Sequence, residues 1–365
     1  MDAQTIGARV RQAISDNGSG APQYEIARAV GMKPDALSRA ITGQRSFSSI
    51  ELARLADRLC VDIHWLITGE ADPRELRYAA RHTFDHATGA RGVPDAESDQ
   101  RVIKDVELAY RQAGDLGVSE PVPATPGAAR EALGDDFVFP FVERLQDRLG
   151  IHVVRLSELS TSYCFSIDGR HVIALKATGN WFHENFSLAH ELAHLAANHL
   201  TTEVVTAEAE AAANAFAADL LMPRRLVRAA GFERTTAEGL AQWVWDQGVS
   251  TDATARRVAS CGIEAADVVR EWGGQTTQRL LRRHWHAPNP GPDAISDRMA
   301  AAARRHFPQA LLRAHIERIE SGVIGPEVLA WMLDVGVAEL DLDTPEPPAG
   351  DVDALAAELG LLPAS

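Results

Sequence analysis

Through the first seventy residues, apolar positions recur every three or four places and are broken by glycine and proline. This is the spacing of short amphipathic helices. Ile6, Val10 and Ile14 share one face of a first helix. Residues 23–30 give a second, closed by Gly31, and residues 34–41 a third, opened by Pro34 and ended around Gly43. Residues 49–59 and 61–69 give a fourth and a short fifth. Ala27, Val30, Leu37, Ile41, Leu52 and Leu55 are the expected core. Two helices meeting across a short glycine-containing turn form a helix-turn-helix.

Beyond residue 70 the pattern loosens. Residues 71–98 are charged with helical potential, and residues 99–113 predict one helix. Gly114 to Ala129 is rich in proline, glycine and alanine, the composition of a flexible linker. Residues 137–149 predict a helix ended by Gly150. The period then shortens to two: residues 151–156 predict a strand, and 163–167 and 171–175 a hairpin around Asp168-Gly169. An edge strand of such a small sheet can hold an extended peptide. The rest is helical, with a serine-capped helix after Ser250 and further helices over 274–342 around a Pro/Gly break at 288–292. The last 20 residues are acidic and proline-rich, the composition of a loosely ordered tail.

The chemistry concentrates in two stretches. Phe186-Ser-Leu-Ala-His190-Glu191-Leu-Ala-His194 carries H-E-x-x-H inside an apolar helical run. Residues four apart share a helix face, so His190 and His194 can bind one zinc ion with Glu191 placed to take a proton from water. Two core histidines on a structural helix have the same spacing, so a third ligand decides. The alanine-rich run from Glu208 to Pro223 places Glu210 and Asn214 on one stripe. A carboxylate among alanines needs a partner; a metal supplies one for Glu210, and a ligand histidine's second N–H supplies one for Asn214. Glu208 competes with Glu210 for the third position. His183 and His199 flank the helix and are read as surface or packing residues with a smaller prospect of touching substrate.

The pair H-E-L-x-H and E-x-x-A-N-x-F-A-x-x-L-L-M-P resembles the ImmA/IrrE family of zinc metallopeptidases. The resemblance implies His190, His194 and Glu210 as metal ligands, Glu191 as general base and zinc as cofactor. The N-terminal run Q-x-E-I-A-x-A-V-G, L-S-R-x-I-x-G, L-A-x-x-L and W-L-x-x-G resembles the lambda-repressor-like (XRE-type) DNA-binding domain. It implies that Gln23, Lys33, Asp35, Ala36, Ser38 and Arg39 face DNA, with Gln44 and Arg45 on phosphates or flanking bases.

The expected fold is therefore mainly α with a small β-sheet. An all-α helix-turn-helix domain (1–70) and a helical or flexible linker (71–129) precede an α+β zincin-like peptidase domain (130–262). A helical C-terminal region of unknown role (263–365) follows. The expected function is that of a DNA-binding transcriptional regulator and zinc endopeptidase, acting as a homodimer on operator DNA and on a repressor or other regulatory protein. The rival is a non-proteolytic transcription factor whose zincin-like domain senses a ligand or holds a dimer; an antitoxin-like binder is a third reading.

Composition limits these readings. The net charge of −15 does not advertise nucleic-acid binding, and residues 1–70 hold eight basic and eight acidic side chains. Residues 23–45 hold four basic against two acidic, so any DNA contact is local. Three scattered cysteines, Cys60, Cys164 and Cys261, form no disulfide framework or C-x-x-C site and fit a reducing cytoplasm. No signal peptide or membrane span is expected.

Overall fold

The helical spacing of the N-terminal residues is realised as α1 (Ala3–Asp16), α2 (Gln23–Ala29), α3 (Pro34–Ile41), α4 (Ser49–Leu59) and α5 (Ile63–Thr68). The structure, a computed structural model, describes residues 3–16, 21–59, 61–70, 76–81, 83–84, 91–201, 205–286 and 293–342. The proline-rich tail, the break at 288–292 and Cys60 lie outside these residues. The chain forms two units, 1–75 and 76–365. In the first, the six expected core side chains are all buried, joined by Val10, Ile26, Leu59 and Leu66. Gly31, at φ 76°, makes the left-handed turn between α2 and α3, and Pro34 opens α3 where no N–H is needed.

The second unit begins with β1 (Tyr78–Ala80), β2 (Thr83–Phe84), β3 (Arg91–Gly92), α6 (Ala96–Ala113), α7 (Pro126–Leu133) and α8 (Phe141–Leu149). Then come β4 (His152–Leu156), β5 (Tyr163–Ile167), β6 (Arg170–Lys176), α9 (Trp181–Ala196) and α10 (Ala207–Leu221). The remainder is α11 (Arg224–Ala229), α12 (Ala237–Asp246), α13 (Thr251–Ser260), α14 (Asp267–Gly273), α15 (Thr277–His284), α16 (Ala294–Ala303), α17 (Gln309–Glu320) and α18 (Glu327–Leu333). Among the described residues the larger sheet has the order β1-β5-β6-β4, with β4 parallel to β6 and the other pairs antiparallel. Asp168 (φ 48°) and Gly169 (φ 82°) supply the two left-handed residues of the β5–β6 turn. No helix of the described residues is long and apolar enough to cross a membrane.

Both faces of the sheet are covered. Ala79, Val153, Cys164, Ile173 and Leu175 pack toward α9, while Ala80, Val154, Leu156, Tyr163, Phe165 and Val172 pack toward α6, α17 and α18. The apolar strands of a doubly covered sheet follow from this. Helix α9 lies between sheet and α10 and is buried over nearly its whole circumference, as its apolar composition requires. Arg155 on β4 grips Glu184 on α9 through two hydrogen bonds of 2.7 and 2.6 Å.

The expected linker differs. The described residues between 76 and 92 hold strands instead of a helix, because pairing with β5 overrides local propensity at Tyr78–Ala80. Helix α6 is anchored by buried Asp99, which accepts from Ser160 N–H (2.7 Å) and Tyr163 O–H (2.7 Å). The stretch from Gly114 to Ala129 is not a tether. The Ser119 and Glu120 amides donate to Gly169 and Leu149 carbonyls, and Ala129 is fully buried on α7. Small residues and proline suit a close-lying extended strip as well as a free one. The boundary between the units thus falls at residue 75, and the C-terminal helices α14–α18 belong to the same body as the sheet.

Candidate metal centre

Two capped helices build the centre. Asn180 caps α9 by accepting from His183 N–H, and Thr206 caps α10 by accepting from Ala209 N–H. The helices run side by side and bring His190, His194 and Glu210 together, all buried. His190 Nε2 lies 3.1 Å from His194 Nε2; Glu210 oxygens lie 3.2 Å from His194 Nε2 and 3.6 Å from His190 Nε2. A tetrahedral ion with bonds of about 2.05 Å separates its ligand atoms by about 3.3 Å, and the three distances bracket that value. Two imidazole nitrogens and one carboxylate also form a borderline donor set with a free fourth position, which fits zinc. Without a cation, the three convergent acceptors need a proton among them. Burial works against the Glu210 charge, but its hydrogen bonds to His190 and His194 outweigh that and hold its pKa well below the usual carboxylate range. Glu208, the competing ligand, is exposed on the other side of α10.

Glu191 is fully buried, and beyond the adjacent Cys164 thiol neither carboxylate oxygen has a hydrogen-bond partner among the described residues. Burial raises its pKa, opposed by His190, His194, Arg81 and the adjacent Cys164 thiol. A raised carboxylate pKa suits a group that must accept a proton and release it again.

The partner of His194 is not Asn214. Asn214 donates its amide to the Glu210 carbonyl at 2.8 Å, one turn back on its own helix. His194 Nδ1 instead meets His199 Nδ1 at 3.1 Å. A proton on His194 Nδ1 donated to His199 leaves the Nε2 lone pair facing the other ligands, the tautomer a metal requires. The chain reaches this geometry through Asn198, which ends α9 in the left-handed region (φ 52°) and turns His199 back over the helix end. An asparagine just past a helix followed by histidine was the available signal.

Arg81 had no local signal. It follows β1, donates from Nη1 to Ser187 Oγ (2.5 Å) and projects its charge onto Glu191 and Glu210. With Phe186, His183 and Asn214 it lines a cleft of about 890 Å³ beside the centre. In the N-terminal unit, Gln23, Lys33, Asp35, Ser38, Arg39 and Gln44 are exposed and Ala36 half-buried. Arg39 pairs with Asp35 at 3.3 Å, and half-buried Arg45 pairs with Glu51.

Residues 146–259 match the family model of the IrrE N-terminal-like domain, Peptidase M78. The match spans α9, α10 and all four residues of the centre. No curated protein and no solved structure matches the chain.

Proposed function

We propose that the chain is a zinc-dependent endopeptidase of ImmA/IrrE type joined to a DNA-binding unit, and that it cuts a repressor or other regulatory protein. The convergence of His190, His194 and Glu210 beside buried Glu191 carries the peptidase reading. His190, His194 and Glu210 hold the ion; zinc, when bound, polarises the scissile carbonyl and acidifies water. Glu191 accepts a proton from the attacking water and passes it to the leaving amine. His199 keeps His194 in its ligating tautomer. The cleft along Phe186 and Asn214 lies next to the centre on the helices that carry it.

The DNA half rests on the order of α1–α5 and on the exposed polar face of α3, which would enter a major groove with its dyad mate. Metal analysis and hydrolysis assays test the peptidase half. One zinc per chain is expected; His194→Ala loses it. Glu191→Gln keeps it and loses cleavage by about 10² to 10⁴. A zinc-free wild-type chain, or full cleavage in Glu191→Gln, rejects the reading.

A further inference from the structure

A hydrolytic centre must admit a peptide bond and water, yet His190, Glu191 and His194 are 0% exposed and Glu210 is 3% exposed. The covering element comes from this chain. Residues 76–81 run antiparallel along β5, with Ala79 opposite Cys164, and Cys164 lies against Glu191. The ladder continues where the Arg81 amide donates to Ser162 O (2.9 Å) and Thr161 Oγ1 donates to Arg81 O (2.9 Å). On the other side of β1, Tyr78 and Thr201 exchange two backbone bonds of 2.9 and 3.1 Å. Thr201 lies in the connection between the two ligand-bearing helices. The segment therefore bridges from β5 to the α9–α10 connection, across the metal centre. Side chains alternate along a strand, so Ala79 and Arg81 face α9, and Arg81 is fastened there by Ser187.

Resting on the peptidase reading above, we propose that residues 76–81 are a built-in occupant of the strand position in which an extended substrate is held on β5, closing the centre until the segment leaves. Three observations point this way. The segment is extended and held mostly by backbone bonds, the way any peptide adds to a sheet regardless of sequence. It lies outside residues 146–259, so the family-matched domain does not include it. It opens the second unit, directly after the N-terminal unit along the chain. The substrate class is accordingly an unfolded or extended polypeptide segment with a small side chain opposite Cys164.

The full chain tests this with a reporter that needs neither metal nor hydrolysis. Cys164 and Cys261 are both buried, but only Cys164 pairs with the segment. Thr201→Pro removes one backbone bond to Tyr78, and Arg81→Ala removes the bond to Ser187. Each should speed alkylation of Cys164, read by peptide mass mapping, by about threefold to tenfold while Cys261 stays at its wild-type rate. Release of zinc to a chelator and cleavage of fluorescently labelled unfolded casein should rise together in Thr201→Pro. Unchanged Cys164 labelling in both variants overturns the proposal. So does equal acceleration at both cysteines, or loss of casein cleavage in Thr201→Pro with zinc retained, which would make β1 the platform on which substrate lies. Added to Thr201→Pro, Glu191→Gln should abolish cleavage while Cys164 still labels faster than in Glu191→Gln alone, which separates failure of the closure from failure of the peptidase reading.

Discussion

The bidentate pair between Arg155 and Glu184 holds α9, and with it the metal centre, to the sheet. Its bonds are 2.7 and 2.6 Å long, and its side chains are 9% and 6% exposed, so solvent screens it little. Glu184→Ala leaves the guanidinium buried, with its remaining bond a long one to the Arg304 carbonyl at 3.3 Å. Removing one partner of such a pair costs about 3–5 kcal/mol, most of it the stranded charge. For the body from Leu76 to Ser365, the unfolding entropy is about 0.6 kcal/mol/K, so a loss of ~4 kcal/mol lowers Tm by roughly 6–7 °C. Arg155→Met with Glu184→Leu removes both charges and should recover to within about 1 kcal/mol of wild type. Calorimetry of the three variants checks this. A Glu184→Ala loss under about 1 kcal/mol, or a double variant no better than the single, would refute the view that a stranded charge sets the cost.

Three further outcomes follow from other contacts. His199→Ala should weaken zinc binding about 10- to 100-fold, whereas Asn214→Ala should leave it within a factor of two or so, as read by competition with a chromophoric chelator. Buried His152, whose Nδ1 meets Tyr110 O–H at 3.0 Å, has its pKa pushed down to about 4 by burial and then by the Arg170 charge. Between pH 6.5 and 4 the unfolded chain takes up a proton that the folded chain refuses, so stability falls with pH, by up to about 3 kcal/mol. Urea denaturation of His152→Gln should show that part of the slope gone. In the N-terminal unit, Arg39→Ala should cost about 1–3 kcal/mol of specific DNA binding if Arg39 reads a base. Arg45→Ala, whose guanidinium is held by Glu51, should act mainly on stability, as gel-shift and thermal melts of the same variants would show.

What was legible in the sequence was what lies close along it. His190 and His194 are one turn apart, so periodicity put them on one face, whereas Glu210 was told from Glu208 by the family resemblance and not by spacing. The hairpin was equally local, since Asp168-Gly169 is the dipeptide a two-residue turn needs. Asn214 failed because spacing fixes a face but not a partner: a short amide beside its own backbone satisfies itself there. Arg81 and β1 were invisible because they come from about a hundred residues upstream and are brought to α9 by sheet pairing. The segment from Gly114 to Ala129 misled because composition reports how freely a chain can bend, not whether Gly150, Gly169 and His171 hold it down.

Residues 76–81 belong to the same molecule as the cleft they cross, and this fixes how such a closure competes. A segment that belongs to the same chain as its site is present at an effective concentration on the order of millimolar, whatever the concentration of the protein. A free polypeptide entering the β5 position has to overcome that figure, so weakly held strangers are turned away without any side-chain discrimination. Dilution does not open the centre, and crowding with copies of the chain does not close it further. The population of open molecules is instead set by the short ladder along β5 and the bridge at Thr201.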